Sequence, residues 1–286
     1  MARRSDAPYE PIRFMQRLTL SILIVLALLG VASFWVVPPI PQPQLYHNFA
    51  DQRSLSGIPN FWNVISNLPF LIVGGWGILY LSSGSALDGL QDSTERWMFL
   101  FFFIAVAFTG VGSAYYHLAP NNERLVWDRL PITMAFMALF AIIIAERLGR
   151  RVGVWLFVSL IVLGVASVLY WHVTETWGRG DLRPYLLVQF YPVVAIPIIL
   201  AFTPKAYTRT ENLYSALAWY VGAKLYEILD DAVFSFGNIV SGHTLKHIGA
   251  AVSCYMILSW IRQRRLVKTQ TFKEPWPVTD PNPHSQ

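Results

Sequence analysis

Charge is scarce in this 286-residue chain: Asp, Glu, Lys and Arg together make up 14% of it. A soluble domain carries roughly 25%, so there is too little polar surface here to coat a water-soluble globule. Cysteine is nearly absent as well. Cys254 alone excludes an internal disulfide and any multi-cysteine metal site, and its place in an apolar run reads as inert packing. No Gly-rich phosphate loop and no G-x-S-x-G elbow occurs. The net charge of +5 is not gathered into a basic patch interleaved with aromatics, which excludes nucleic-acid binding. Internal repeats and a separate soluble domain are also missing.

What abounds is apolar. Hydrophobic residues reach 54%, mean hydropathy is +0.42, and the apolar residues fall into runs of about 20, the length that crosses a bilayer. The pattern predicts an all-α polytopic membrane protein with eight spanning helices, near 16–37, 61–82, 97–117, 127–148, 152–171, 184–203, 212–232 and 243–262. The first is too long for a signal peptide, and Val37 precedes Pro38 and Pro39 rather than a small-residue cleavage site. Three regions are expected: 1–40 with an N-terminal tail and one helix, 41–266 as a seven-helix bundle, and a disordered tail over 267–286. That tail carries Pro275, Pro277, Pro281 and Pro283.

Lys and Arg set the expected orientation. An even helix count places both termini on one side. That side holds Arg3, Arg4, Arg13, Arg17, Arg96, Arg147, Arg150, Arg151, Lys205, Arg209 and the basic C-terminal flank from Arg262 to Lys273. The opposite side holds Arg53, Arg124, Arg129, Arg179 and Arg183. The excess makes the termini cytoplasmic.

Ionisable residues inside spans are functional candidates. The third helix ends Gly112-Ser113-Ala114-Tyr115-Tyr116-His117, with Ser113 and His117 one turn apart on one face. The last begins His243-Thr244-Leu245-Lys246-His247, with its histidines also one turn apart. Chain direction brings His117, Asp128, His243 and His247 to one depth, near the non-cytoplasmic surface. Three neutral imidazoles with an open fourth position form the pattern of a catalytic zinc site. Thr244 stands where H-E-x-x-H has its glutamate, so Asp128 is the best-placed carboxylate to take a proton. Asp128 also suits a helix N-terminus, and Ser113 could instead bond the carbonyl one turn back. Lys224, Glu227 and Asp231 are spaced for one face of the seventh helix, with Asp230 adjacent, and read first as a self-neutralising network. His47, His172 and His284 read as interfacial. The polar stretch from Phe49 to Pro69 either caps the site or is a re-entry loop.

Phe61-Trp62-Asn63 with Ser66-Asn67, Ser113-x3-His117 followed by Asp128, and Ser241-Gly242-His243-Thr244-Leu245-Lys246-His247 together resemble the alkaline ceramidases. These belong to a wider group of seven-helix membrane hydrolases that includes the adiponectin-receptor-like proteins. The resemblance spans roughly Asp51 to Trp260. It implies a zinc-dependent amidase that cleaves ceramide to a sphingoid base and a fatty acid. It puts zinc on His117, His243 and His247, and catalysis on Asp128 and Ser113. Tyr116, Asn67, Lys246, Glu227 and Asp231 are expected to touch substrate or support the site. Two departures stand out: the helix before residue 41 is additional, and the acidic loop with which animal members hold Ca²⁺ keeps only Asp51, beside Arg53 and Asn60. The expected partner is a ceramide-like lipid drawn from the bilayer. A zinc-bearing receptor without turnover is the alternative; a transporter is disfavoured because the polar sites cluster in one half of the membrane.

Overall fold

The computed structural model describes residues 9–83 and 89–267; the expected C-terminal tail and His284 lie outside them. All regular structure there is helical, apart from two isolated bridges, Leu55 with Ile58 and Tyr207 with Leu266. In chain order the helices are α1 (Tyr9–Ala32), α2 (Phe61–Ile65), α3 (Leu68–Ser82), α4 (Ser93–Leu118), α5 (Asn122–Arg147), α6 (Arg150–Thr176), α7 (Arg183–Phe202), α8 (Glu211–Ile228), α9 (Asp230–Ser235) and α10 (Gly242–Gln263). Among the described residues, six segments are long and apolar enough to cross a membrane: α1, α2 with α3, and α4 to α7. The protein is therefore an all-α polytopic membrane protein. The remaining long helices, α8 and α10, pack on each other inside the same bundle and carry Lys224, Glu227, His243, Lys246 and His247.

Side-chain caps start three of the helices where the sequence supplies them. Asp92, Asn121 and Ser241 each accept from the backbone N–H three residues on, satisfying donors that a helix start leaves free. Several boundaries differ from expectation, three of them at a break or turn in the chain. The first helix ends at Ala32, in a tighter turn over Ser33–Trp35 ahead of Pro38. The expected 61–82 helix breaks into α2 and α3 at Ser66–Asn67, since Pro69 lacks the N–H that would continue it. The expected 212–232 helix stops at Ile228 and restarts as α9 at Asp230. Asp231 thus leaves the α8 face and is exposed.

α5 is the hub, packed on α4, α6 and α7; α3 bridges α4 and α10; α1 lies outside the bundle against α7. Outward-facing Leu28, Leu29, Trp155, Val158 and Val162 are exposed, as a hydrocarbon solvent permits. At one end of the bundle a buried charge cluster ties three helices. Arg264 donates to Glu95 of α4 at 2.6 Å and to Glu146 of α5 at 2.5 Å, and the Tyr207 hydroxyl donates to Glu95. At the other end, residues 40–60 cross the bundle mouth as an irregular strap. Its Gln42 accepts from Arg129 at 2.6 Å. Arg129 was expected at the outer flank; it is instead buried against the rings of Trp171 and Tyr185.

Candidate metal and catalytic centre

The three histidines meet beneath the strap. His117 ends α4, while His243 and His247 occupy the first two turns of α10, and all three are buried. One ring nitrogen from each lies within 4.8 Å of the others, and Nε2 of His117 is 3.3 Å from Nε2 of His243. A tetrahedral zinc with Zn–N bonds of about 2.0–2.1 Å separates neighbouring ligand nitrogens by roughly 3.3–3.4 Å. At that distance the pair can share one N–H···N hydrogen bond or face a common cation, and the third imidazole close by makes the set suited to a cation. The donor set therefore fits a metal ion, and neutral imidazoles fit zinc.

Support around the ligands has the form that metal-binding histidines need. His247 Nδ1 is hydrogen-bonded to Ser66 Oγ at 2.8 Å, and that hydroxyl donates to the Asn63 carbonyl. This turns the other nitrogen of His247 toward its partners. Asp230 accepts from the His243 backbone N–H at 2.7 Å and from the Ala50 N–H at 3.0 Å, so one carboxylate fixes both the start of α10 and the strap. Phe49 covers the centre from the strap side, with its ring centroid 4.6 Å from that of His117 and 4.4 Å from that of His243.

Two glycines let the elements come this close. A Cβ on Gly112 would lie 2.0 Å from the Trp127 carbonyl oxygen, so only glycine allows α4 to press on α5 there. The next residues on each side, Ser113 and Asp128, are buried and within hydrogen-bond reach of each other. A Cβ on Gly242 would lie 2.2 Å from the Tyr226 carbonyl oxygen, which seats the α10 N-terminus on the end of α8.

Ser113, Asp128 and His247 line a cavity of about 320 Å³. Its far part is apolar, walled by Phe70, Phe102, Val106, Leu139, Ile196 and Ile257. Its near wall carries Lys224, Glu227, Lys246 and Tyr46. Glu227 pairs with Lys246 at 2.7 Å and with Lys224. Burial pushes the Tyr46 phenol up, against the lowering effect of Lys246. The self-neutralising network expected on α8 thus exists, with Lys246 of α10 in place of Asp231.

The remaining expected residues fall as follows. Tyr116 is buried, its hydroxyl 2.8 Å from His47 Nδ1; His47 also contacts Asn122 and is a structural link rather than an interfacial residue. Asn67 is buried at the α2–α3 break and donates to the Asn63 carbonyl at 2.7 Å, the same carbonyl that Ser66 uses. Asp51 has both carboxylate oxygens engaged by Arg53, at 2.8 and 2.6 Å. Burial raises its carboxyl, but the Arg53 hydrogen bonds and charge outweigh that and hold it below the usual range. Phe49, Ser66 and Asp230 appear in the sequence reading only as the start of the polar stretch, a member of a motif and a neighbour of a charged face, with no site role of their own. Ser66 and Asp230 sit beside helix breaks, which apolar periodicity alone does not reveal.

The fold and this centre define a class: a polytopic membrane protein with a buried three-histidine site opening on an apolar cavity. Within that class, the chain belongs to the Ceramidase family, whose family model matches residues 53–284. It is also similar to the Dictyostelium discoideum protein dcd3B, named as a proposed alkaline ceramidase. The two are 25% identical over 128 residues, 42% of this chain and 44% of that protein. The match thus spans under half the length of that relative.

Proposed function

We propose that this protein hydrolyses the N-acyl amide of ceramide-type lipids to a sphingoid base and a free fatty acid, with zinc held by His117, His243 and His247. The observation that carries the reading is a cluster of three buried imidazoles, one of which, His247, lines a mostly apolar cavity together with Asp128 and Ser113. Bound zinc supplies a Lewis acid and a water that ionises near neutral pH. Asp128 is the carboxylate placed to accept a proton from the attacking water and return it to the departing amine nitrogen. While Asp128 is a carboxylate, the Ser113 hydroxyl donates to it. Once Asp128 carries the proton, that hydroxyl is free to donate to the amide oxygen as negative charge builds there. Phe49 keeps bulk water from the strap side of the imidazoles, and the apolar wall takes an acyl chain. The Lys and Arg asymmetry supports cytoplasmic termini and a site toward the opposite face.

Asp128→Asn tests the reading. The asparagine keeps the shape but takes no proton. Turnover, read as fatty acid released from ceramide in detergent micelles, should fall by a factor on the order of 10²–10⁴. Zinc should stay bound in this variant and be lost in His243→Ala and His247→Ala. If Asp128 only capped α5, Asn would serve about as well, and unchanged turnover would remove it from the mechanism. Absence of turnover in the wild type, across several ceramides and pH values, would favour a zinc-bearing receptor.

A further inference from the structure

Arg53 is surrounded by oxygen. Its Nε and Nη2 donate to the two carboxylate oxygens of Asp51, at 2.8 and 2.6 Å. Its Nη1 donates to the Asn238 carbonyl and its Nη2 to the Ile239 carbonyl, both at 2.9 Å. Four oxygens from two segments therefore converge on one cation: the strap supplies two, and the loop between α9 and α10 supplies two. That loop is shaped for the purpose. Gly237 and Asn238 both take positive φ, +90° and +54°, the left-handed region that turns a chain sharply. Asp51 is 1% exposed while the Arg53 side chain is 47% exposed, so the carboxylate lies inside and the guanidinium joins it to the two carbonyls of the exposed loop.

The cage is wired to the histidines. The Asp51 carbonyl accepts from the Asn63 side chain, whose oxygen accepts from the Thr244 hydroxyl in the first turn of α10. Two residues before Asp51, Phe49 lies against His117 and His243. A half-exposed ion pair by itself is worth little. A buried carboxylate left without its cation is another matter, because nothing else among its contacts compensates the charge.

We infer that Arg53 is a built-in substitute for a metal cation: it positions the strap over the histidine centre by neutralising a four-oxygen cage. Emptied of the guanidinium, that cage binds Ca²⁺. A carboxylate that can bind through both oxygens, plus two backbone carbonyls, is a hard-oxygen set. Ca²⁺ accepts such sets at irregular geometry with waters completing its shell, whereas Mg²⁺ demands a near-ideal octahedron.

The experiment uses the full-length protein in detergent, with zinc content checked throughout. Wild type, Arg53→Ala, Arg53→Lys and the double variant Asp51→Asn with Arg53→Ala are compared in calcium-depleted buffer and after adding Ca²⁺ or Mg²⁺. Calcium binding is measured by calorimetry with the metal alone, stability by thermal unfolding, and turnover by fatty-acid release. Wild type should bind no Ca²⁺ at this cage and be indifferent to it. Arg53→Ala should unfold several degrees lower and, with the strap displaced, lose activity on the order of 10- to 100-fold. Ca²⁺ should bind to it and restore stability, and Mg²⁺ should not. The double variant should bind neither. Arg53→Lys, which keeps the charge, should remain calcium-independent. An Arg53→Ala protein as stable as wild type without calcium overturns the inference. So does an unstable one that Ca²⁺ neither binds nor restores. The binding and unfolding readouts hold even if the amide-hydrolysis reading fails.

Discussion

Ser66 shows how a small side chain reaches the chemistry through a histidine. It accepts from His247 Nδ1 and passes its own proton to the Asn63 carbonyl. Ser66→Ala removes that acceptor but leaves all three ligands. Zinc affinity should fall about 10- to 100-fold, the range found for partners that orient metal-binding histidines. A competitive chelator titration measures this, and unchanged affinity would mean that helix packing alone orients the ring. The histidines themselves were legible in the sequence, because spacing by four residues on a helix puts two rings on one face. Ser66, Asp230 and Phe49 were not, because their roles depend on partners 181, 13 and 68 or more residues away.

Among the elements, the α4–α5 contact sets the distance between Ser113 and Asp128. Gly112→Ala would drive a methyl into the Trp127 carbonyl. That overpacking should cost about 1–3 kcal/mol and separate the two catalytic candidates, with a clear loss of turnover. Gly75 in α3 is the matched control, since a Cβ there meets nothing within 4 Å. Gly75→Ala should leave turnover alone and stabilise by about 0.5–1 kcal/mol, the usual gain of Ala over Gly within a helix. Thermal unfolding of both variants in one detergent decides the matter; equal stability of the two would show that α4 and α5 yield to each other. Helix existence was readable from apolar runs of bilayer length. The breaks at Ser66–Asn67 and Leu229 were not, since polar residues inside a helical pattern read equally as a face turned into the bundle or as the end of a helix.

For the whole molecule, the testable claim is orientation. With the termini cytoplasmic, a single cysteine near Arg179, between α6 and α7, should be labelled from the outside by a membrane-impermeant reagent, and cysteines at either terminus from the inside only. Cys254 is the one native cysteine, so its replacement by Ser clears the background. Termini found on opposite faces would refute an even number of crossings.

Composition and periodicity alone determined that this chain lives in a bilayer, because hydrocarbon admits backbone only when its hydrogen bonds are satisfied within the segment. They also determined that His117, His243 and His247 share one depth, because helix direction and residue spacing are local properties. Tertiary structure decided the rest. It brought α4 against α10 so that two ring nitrogens stand 3.3 Å apart, and set Asp128 on the cavity wall with Ser113 and His247. It exchanged Asp231 for Lys246 in the ion network and closed four oxygens around Arg53. Each of these joins residues distant in the chain, and such meetings are set by how helices pack, not by any one helix's pattern.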